Sequence, residues 1–125
     1  MRTVVSLNEG WIFKKAQDTL PNTIPTDWES INLPHTWNAQ DGQDGGNDYF
    51  RGKSCYMRML SRSLLPEGEE FWLEIRGANS SAEVYLNGKL LKTHHGGYST
   101  FRVDLTEAMT EDNILAVIVD NSPNE

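Results

Sequence analysis

Residues 81–100 read Ser-Ala-Glu-Val-Tyr-Leu-Asn-Gly-Lys-Leu-Leu-Lys-Thr-His-His-Gly-Gly-Tyr-Ser-Thr. Ala82, Val84 and Leu86 alternate with Glu83 and Tyr85, the period of a strand with one buried face. Asn87-Gly88 then supplies two residues that tolerate positive φ, as a type I′ turn requires. The stretch is predicted to be a β-hairpin whose second arm, Lys89 to Thr93, runs into the flexible polar sequence His94-His95-Gly96-Gly97 and then Tyr98.

Working outward, the strand signals recur at short intervals. Thr3 to Leu7 is β-branched and apolar, and Asn8-Glu9-Gly10 is turn chemistry before Trp11 and Phe13, which share a face. Cys55 to Leu60 and Phe71 to Ile75 read as strands, with Phe71, Leu73 and Ile75 on one face. Phe101, Val103 and Leu105 alternate again. Ile114 to Val119 is apolar at every position, as a central strand covered on both sides would be. Only Leu105 to Asp112 has room for a helix, and a short one. Many short strands and almost no helix predict an all-β sandwich of two antiparallel sheets, of jelly-roll type.

Two segments break this rhythm. Residues 16–26 hold Pro21 and Pro25 among polar residues and are expected to be irregular surface chain. Residues 35–52 are richer still in turn formers, with Asp41-Gly42-Gln43-Asp44-Gly45-Gly46-Asn47-Asp48 at their centre, flanked by Trp37, Tyr49 and Phe50. So long a connection within a domain is characteristically functional or disordered, and the flanking aromatics favour a pinned loop.

Composition bounds the function. At 125 residues the chain suits one domain, and no apolar run approaches a membrane span. A net charge of −7 with dispersed basic residues excludes a nucleic-acid surface. The single Cys55 has no partner for an internal disulfide and is read as a small core residue. Residues 1–6 lack the apolar core of a signal peptide, and the compartment stays open.

No catalytic set emerges. The carboxylates of the 35–52 segment are hydrated among glycines, where nothing raises a pKa for acid catalysis. Its spacing fails the calcium-loop pattern, since Gly52 stands where a bidentate Glu belongs. His94 and His95, adjacent on an extended segment, point to opposite faces and do not chelate together. Neither a metal nor a cofactor is expected. Trp11, Trp28 and Trp72 are expected to be core. The long segment is left with two readings, a solvated loop or a set of sugar contacts. For the second, Asp and Asn oxygens suit hydroxyls and aromatic rings suit sugar faces.

An ordered series of motifs carries a resemblance. It runs through Leu33-Pro34-His35-Thr36-Trp37-Asn38, Asp41-Gly42, Tyr49-Phe50-Arg51-Gly52, Tyr56-Met57-Arg58 and Val84-Tyr85-Leu86-Asn87-Gly88. It continues with Gly96-Gly97-Tyr98-Ser99-Thr100-Phe101, Asp104-Leu105-Thr106 and the run from Asn113 to Asn121. Together these resemble the N-terminal domain of glycoside hydrolase family 2, over nearly the whole chain.

The resemblance implies a galactose-binding-like jelly roll, residues 1–125 forming one N-terminal domain of a larger enzyme. The catalytic glutamates of such an enzyme lie in a barrel outside this chain, so no catalytic residue is assigned here and the chain alone is expected to be inactive. The parent would be a retaining exo-glycosidase. Residues 41–46 look most like those of β-galactosidase-type members, which implies contact with a terminal galactoside through Trp37, Asp41, Asp44, Asn47, Asp48, Tyr49 and Arg51. An autonomous carbohydrate-binding module is the competing reading. The family's domain continues past Asn121 into a closing strand, so the expectations include a missing last strand, downstream domains as partners, and an exposed sheet edge open to oligomerisation.

Overall fold

The computed structural model describes residues 5–17, 19–32, 53–65, 70–78, 81–95 and 99–120. Eight strands follow one another: β1 (Trp11–Lys15), β2 (Glu29–Ile31), β3 (Lys53–Ser61), β4 (Trp72–Ala78), β5 (Ser81–Leu86), β6 (Lys89–His94), β7 (Ser99–Asp104) and β8 (Asp112–Asp120). They form a six-stranded sheet in the order β2-β1-β3-β8-β5-β6 and a two-stranded sheet of β4 and β7. Every pairing is antiparallel.

The predicted hairpin is the centre of this arrangement. Asn87 has φ 54° and Gly88 φ 84°, the two positive values of the type I′ turn. Around it, β5 pairs with β6, β4 with β7, and β3 with β8. The three pairings are nested about one turn, so the chain from β3 to β8 is one long hairpin folded over into two sheets. The roll brings β5 beside β8, with Val84 opposite Val117. This is the jelly-roll architecture, with β1 and β2 added beyond β3.

Strand alternation sorts the side chains. Trp11, Phe13, Tyr56, Leu60, Ala82, Val84, Leu86, Leu115 and Val117 of the large sheet meet Leu73, Phe101, Val103 and Leu105 from the small one. Val84, Leu86 and Leu115 are fully buried, and emptying any such site costs about 2–5 kcal/mol. In β6 the register slips between Val84↔Lys92 and Tyr85↔Leu90, leaving Leu91 as an extra residue that packs against the core.

The opposite face of the large sheet is also covered. Cys55, Met57, Ala116 and Ile118 are buried there, and Leu20, Ile24 and Trp28 pack onto them. The proline-bearing segment after β1 is irregular, as expected, yet it is a lid with apolar residues at four-residue spacing. It explains why Ile114 to Val119 is continuously apolar, since β8 has no wet face at its centre.

Three local expectations are corrected. Residues 5–7 carry no strand, because the Leu7 carbonyl is engaged by the Trp11 indole N–H and the Arg58 guanidinium in place of a ladder. Helix is not confined to the stretch after Leu105, which forms the expected short one as a 3₁₀ turn, Thr106–Ala108; a second 3₁₀ turn, Arg62–Leu64, follows β3. Trp72 is 56% exposed; the alternation that turns Leu73 and Ile75 inward sends Trp72 outward. No described helix is long and apolar enough to cross a membrane.

Candidate functional site

The seven residues singled out for sugar contact, Trp37, Asp41, Asp44, Asn47, Asp48, Tyr49 and Arg51, lie outside the described residues. The strands around them define where that segment is tethered. β2 places Ile31 opposite Trp11, and β3 places Ser54 opposite Lys15. The two tethers therefore sit at opposite ends of β1, and β2 and β3 are parallel to each other. Parallel strands require a long crossover connection, which accounts for the length of chain between them.

The Lys53 end of the sandwich gathers most of the chain's irregular sequence. Lys53, Asp120 and Ser81 are neighbours across three strands, and Ala78 faces Ser99 in the other sheet. The C-terminal tether of the 33–52 segment, the Asn79-Ser80 link, the connection that contains Gly96-Gly97-Tyr98, and the continuation past Asp120 all join the sheets here. The glycine-rich connection and the C-terminal tether of the acidic segment therefore meet the sheets at the same end.

Beneath that end, Lys15, Ser54, Val119, Ala82 and His94 form one row across the large sheet. His94 lies flat against Phe101 of the small sheet, with ring centroids 4.2 Å apart and planes 9° from parallel. The His94 ring is thus a packing element between the two sheets. The Ser54 hydroxyl is fully buried and has no hydrogen-bond partner among the described residues, a costly state for a polar group. Next to it, burial pushes the Cys55 thiol up to about 12, so the thiolate that would react or bind metal is absent at neutral pH. Among the described residues no group of three His, Cys, Asp or Glu side chains is placed to hold a metal ion.

The opposite end is closed by side-chain hydrogen bonds. Asn113 is fully buried; its Nδ2 donates to Leu60 O at 3.0 Å and Thr110 O at 2.8 Å. Its Oδ1 accepts from Thr110 N at 2.7 Å and from Asn87 Nδ2 at 2.9 Å. Asn87 Oδ1 in turn accepts from Ile114 N at 2.9 Å. The turn asparagine therefore serves two purposes, and only the first, its positive φ, was legible in the sequence. Nearby, Arg58 Nη1 donates to Glu9 O at 2.6 Å while its guanidinium lies 6.0 Å from the Trp11 ring centroid; burial lowers its pKa.

No family model matches the chain. It is 38% identical over 124 residues to a putative β-glucuronidase of Formosa agariphila, covering 97% of this chain and 15% of that protein. It is 29% identical over 127 residues to a β-galactosidase of Thermoanaerobacterium thermosulfurigenes, covering 98% of this chain and 18% of the relative. Among solved structures, a Bacteroides uniformis β-glucuronidase superposes with a TM-score of 0.81 at 35% identity, covering 96% of this chain and 15% of that one. The chain thus spans roughly a sixth of the length of these relatives, and the glucuronidase stands above the galactosidase in sequence identity. Over nearly its whole length the chain is thus similar to one part of family 2 glycoside hydrolases and shares the fold of that part.

Proposed function

We propose that this chain is a non-catalytic domain of a family 2 glycosidase, and that residues 37–51 shape the rim of an active site held elsewhere in the polypeptide. In this reading Trp37 and Tyr49 offer ring faces to the terminal sugar, Asp41, Asp44, Asn47 and Asp48 accept from its hydroxyls, and Arg51 donates to its oxygens. The observation that carries the reading is the end-to-end match of 97% of the chain to a small part of a much longer glycosidase. The convergence of the irregular segments at the Lys53 end is the geometric support.

The sugar class is part of the proposal. Residues 41–46 resemble β-galactosidase sequences, whereas the relative of higher identity is named a β-glucuronidase. We favour a terminal β-glycoside of one of these two kinds. The test is steady-state kinetics of the full-length enzyme on aryl β-glucuronide and aryl β-galactoside. The preferred substrate should lose about tenfold or more in kcat/KM with Trp37→Ala or Asp41→Asn, which corresponds to about 1.4 kcal/mol of transition-state binding. Unchanged kcat/KM in both variants on both substrates would overturn the rim assignment.

A further inference from the structure

Asn87 is the only asparagine of the chain that is followed by glycine. An asparagine carboxamide is open to attack by the main-chain nitrogen of the next residue, and glycine, having no side chain, obstructs that attack least. The turn is exposed, and nothing lies within 4 Å of the position that a Gly88 Cβ would take, so packing does not shield it. Hydrogen bonds do. Asn87 Nδ2 donates to Asn113 Oδ1 at 2.9 Å and to Ala108 O at 3.1 Å, while Oδ1 accepts from Ile114 N at 2.9 Å. The Asn87 backbone N–H donates to Ile114 O at 2.8 Å, which ties the turn itself to β8. Ammonia leaves only when Nδ2 has released both of its acceptors, and the change of Cγ from planar to tetrahedral draws Oδ1 away from Ile114 N. Reaction therefore requires all three side-chain bonds to open.

We propose that Asn87-Gly88 is a self-modification site latched by the native fold, with Asn113 as the latch, and that its conversion marks chains that have opened at this end. In the first step the Gly88 nitrogen gives up its proton and bonds to Asn87 Cγ; the Cγ–Nδ2 bond breaks, and Nδ2 departs with that proton as ammonia. Solvent water then opens the resulting succinimide, at Cγ to give aspartate or at the main-chain carbonyl to give isoaspartate. Either product exchanges a donating amide for a carboxylate. A side-chain carboxylate at this position faces Asn113 Oδ1 and Ala108 O, both of them acceptors. Asn113 is not free to turn and donate, because its Nδ2 is committed to Leu60 O and Thr110 O and its Oδ1 to Thr110 N. A converted turn thus fails to rebuild the network, and one transient opening leaves a lasting record.

Peptide mapping after incubation at pH 8 tests the proposal, read as the mass gain of the tryptic peptide that ends at Lys89. Mass at this peptide is the proper readout, since Asp41-Gly42 and Asp44-Gly45 form isoaspartate by the same route with no change in mass. Conversion in the folded chain should run about a hundredfold slower than in urea, at roughly fivefold for each of the three hydrogen bonds. Asn113→Ala should accelerate it by about fivefold or more. Leu73→Ala, which empties a buried site in the other sheet at comparable cost, should stay near the wild-type rate under the same conditions. Asn87→Asp should unfold at a lower urea midpoint than wild type. Equal rates in the folded and the unfolded wild-type chain would overturn the latch, a comparison that stands even where Asn113→Ala does not fold. Equal acceleration by Asn113→Ala and Leu73→Ala would give control to global unfolding and overturn the role of Asn113. An unchanged midpoint in Asn87→Asp would overturn the lasting record.

Discussion

The two ends of the sandwich are held by opposite means. At the end of the Asn87-Gly88 turn, the buried Asn113 is saturated with partners, and the turn, the end of β3 and Thr110 just before β8 are tied through its side chain. At the Lys53 end, where long irregular segments join the sheets, the buried Ser54 hydroxyl has no partner among the described residues. The difference teaches where this fold stores its specificity. One end is a fully satisfied polar network, which fixes register and rigidity. The other keeps a polar group in reserve at the place where loops converge, the sort of local inconsistency that tends to accompany function.

The comparison can be broken most decisively at Asn113. Asn113→Ala leaves the carbonyls of Leu60 and Thr110 and the Asn87 amide without a shared partner, and we expect a loss of about 3–5 kcal/mol in urea denaturation. A loss below about 1 kcal/mol would show that the network is ornamental. Next in size, Gly88→Ala keeps open space around the new methyl but sits at φ +84°. The strain should cost about 1–2 kcal/mol, read as a lower midpoint with an unchanged m-value.

The other end should answer differently. Burial raises the Cys55 thiol from 9.0 to about 12, so the unfolded chain ionises first. Its contribution to stability is intact below pH 9.0 and is lost as pH rises from there towards about 12. Cys55→Ala should flatten that alkaline decline, and the native thiol should resist a thiolate-directed reagent at pH 8 until denaturant is added. The smallest effect is expected at Ser54. Ser54→Ala removes a hydroxyl that has no partner among the described residues and should be neutral or stabilising by up to about 1 kcal/mol, opposite in sign to Asn113→Ala. A clear destabilisation would show that the hydroxyl is paired in solution and would erase the contrast between the ends.

Much of this was legible in residue patterns. Asn87-Gly88 announced the turn, the alternation from Ala82 to Leu86 announced its buried face, and the unbroken apolar run at Ile114 to Val119 announced a strand covered twice. The candidate site was legible only as chemistry, as a concentration of Asp, Asn and aromatic residues between Trp37 and Arg51. Trp72 shows how a local rule can be read and then not followed through. Placing Leu73 and Ile75 inside already placed it outside, and the general preference of tryptophan for cores obscured that.

What the sequence determined by itself is everything carried by neighbours a few positions apart: turn type, strand period, and the all-β class that follows from them. It also carried the family likeness, because an ordered motif series survives without coordinates. Tertiary structure alone decided which distant segments meet. The pairing of β3 with β8 around the hairpin, the lid of Leu20, Ile24 and Trp28, and the saturation of Asn113 all join residues far apart in the chain. Their partners are selected by burial across the rolled sheets, a non-local condition that no short window of sequence contains.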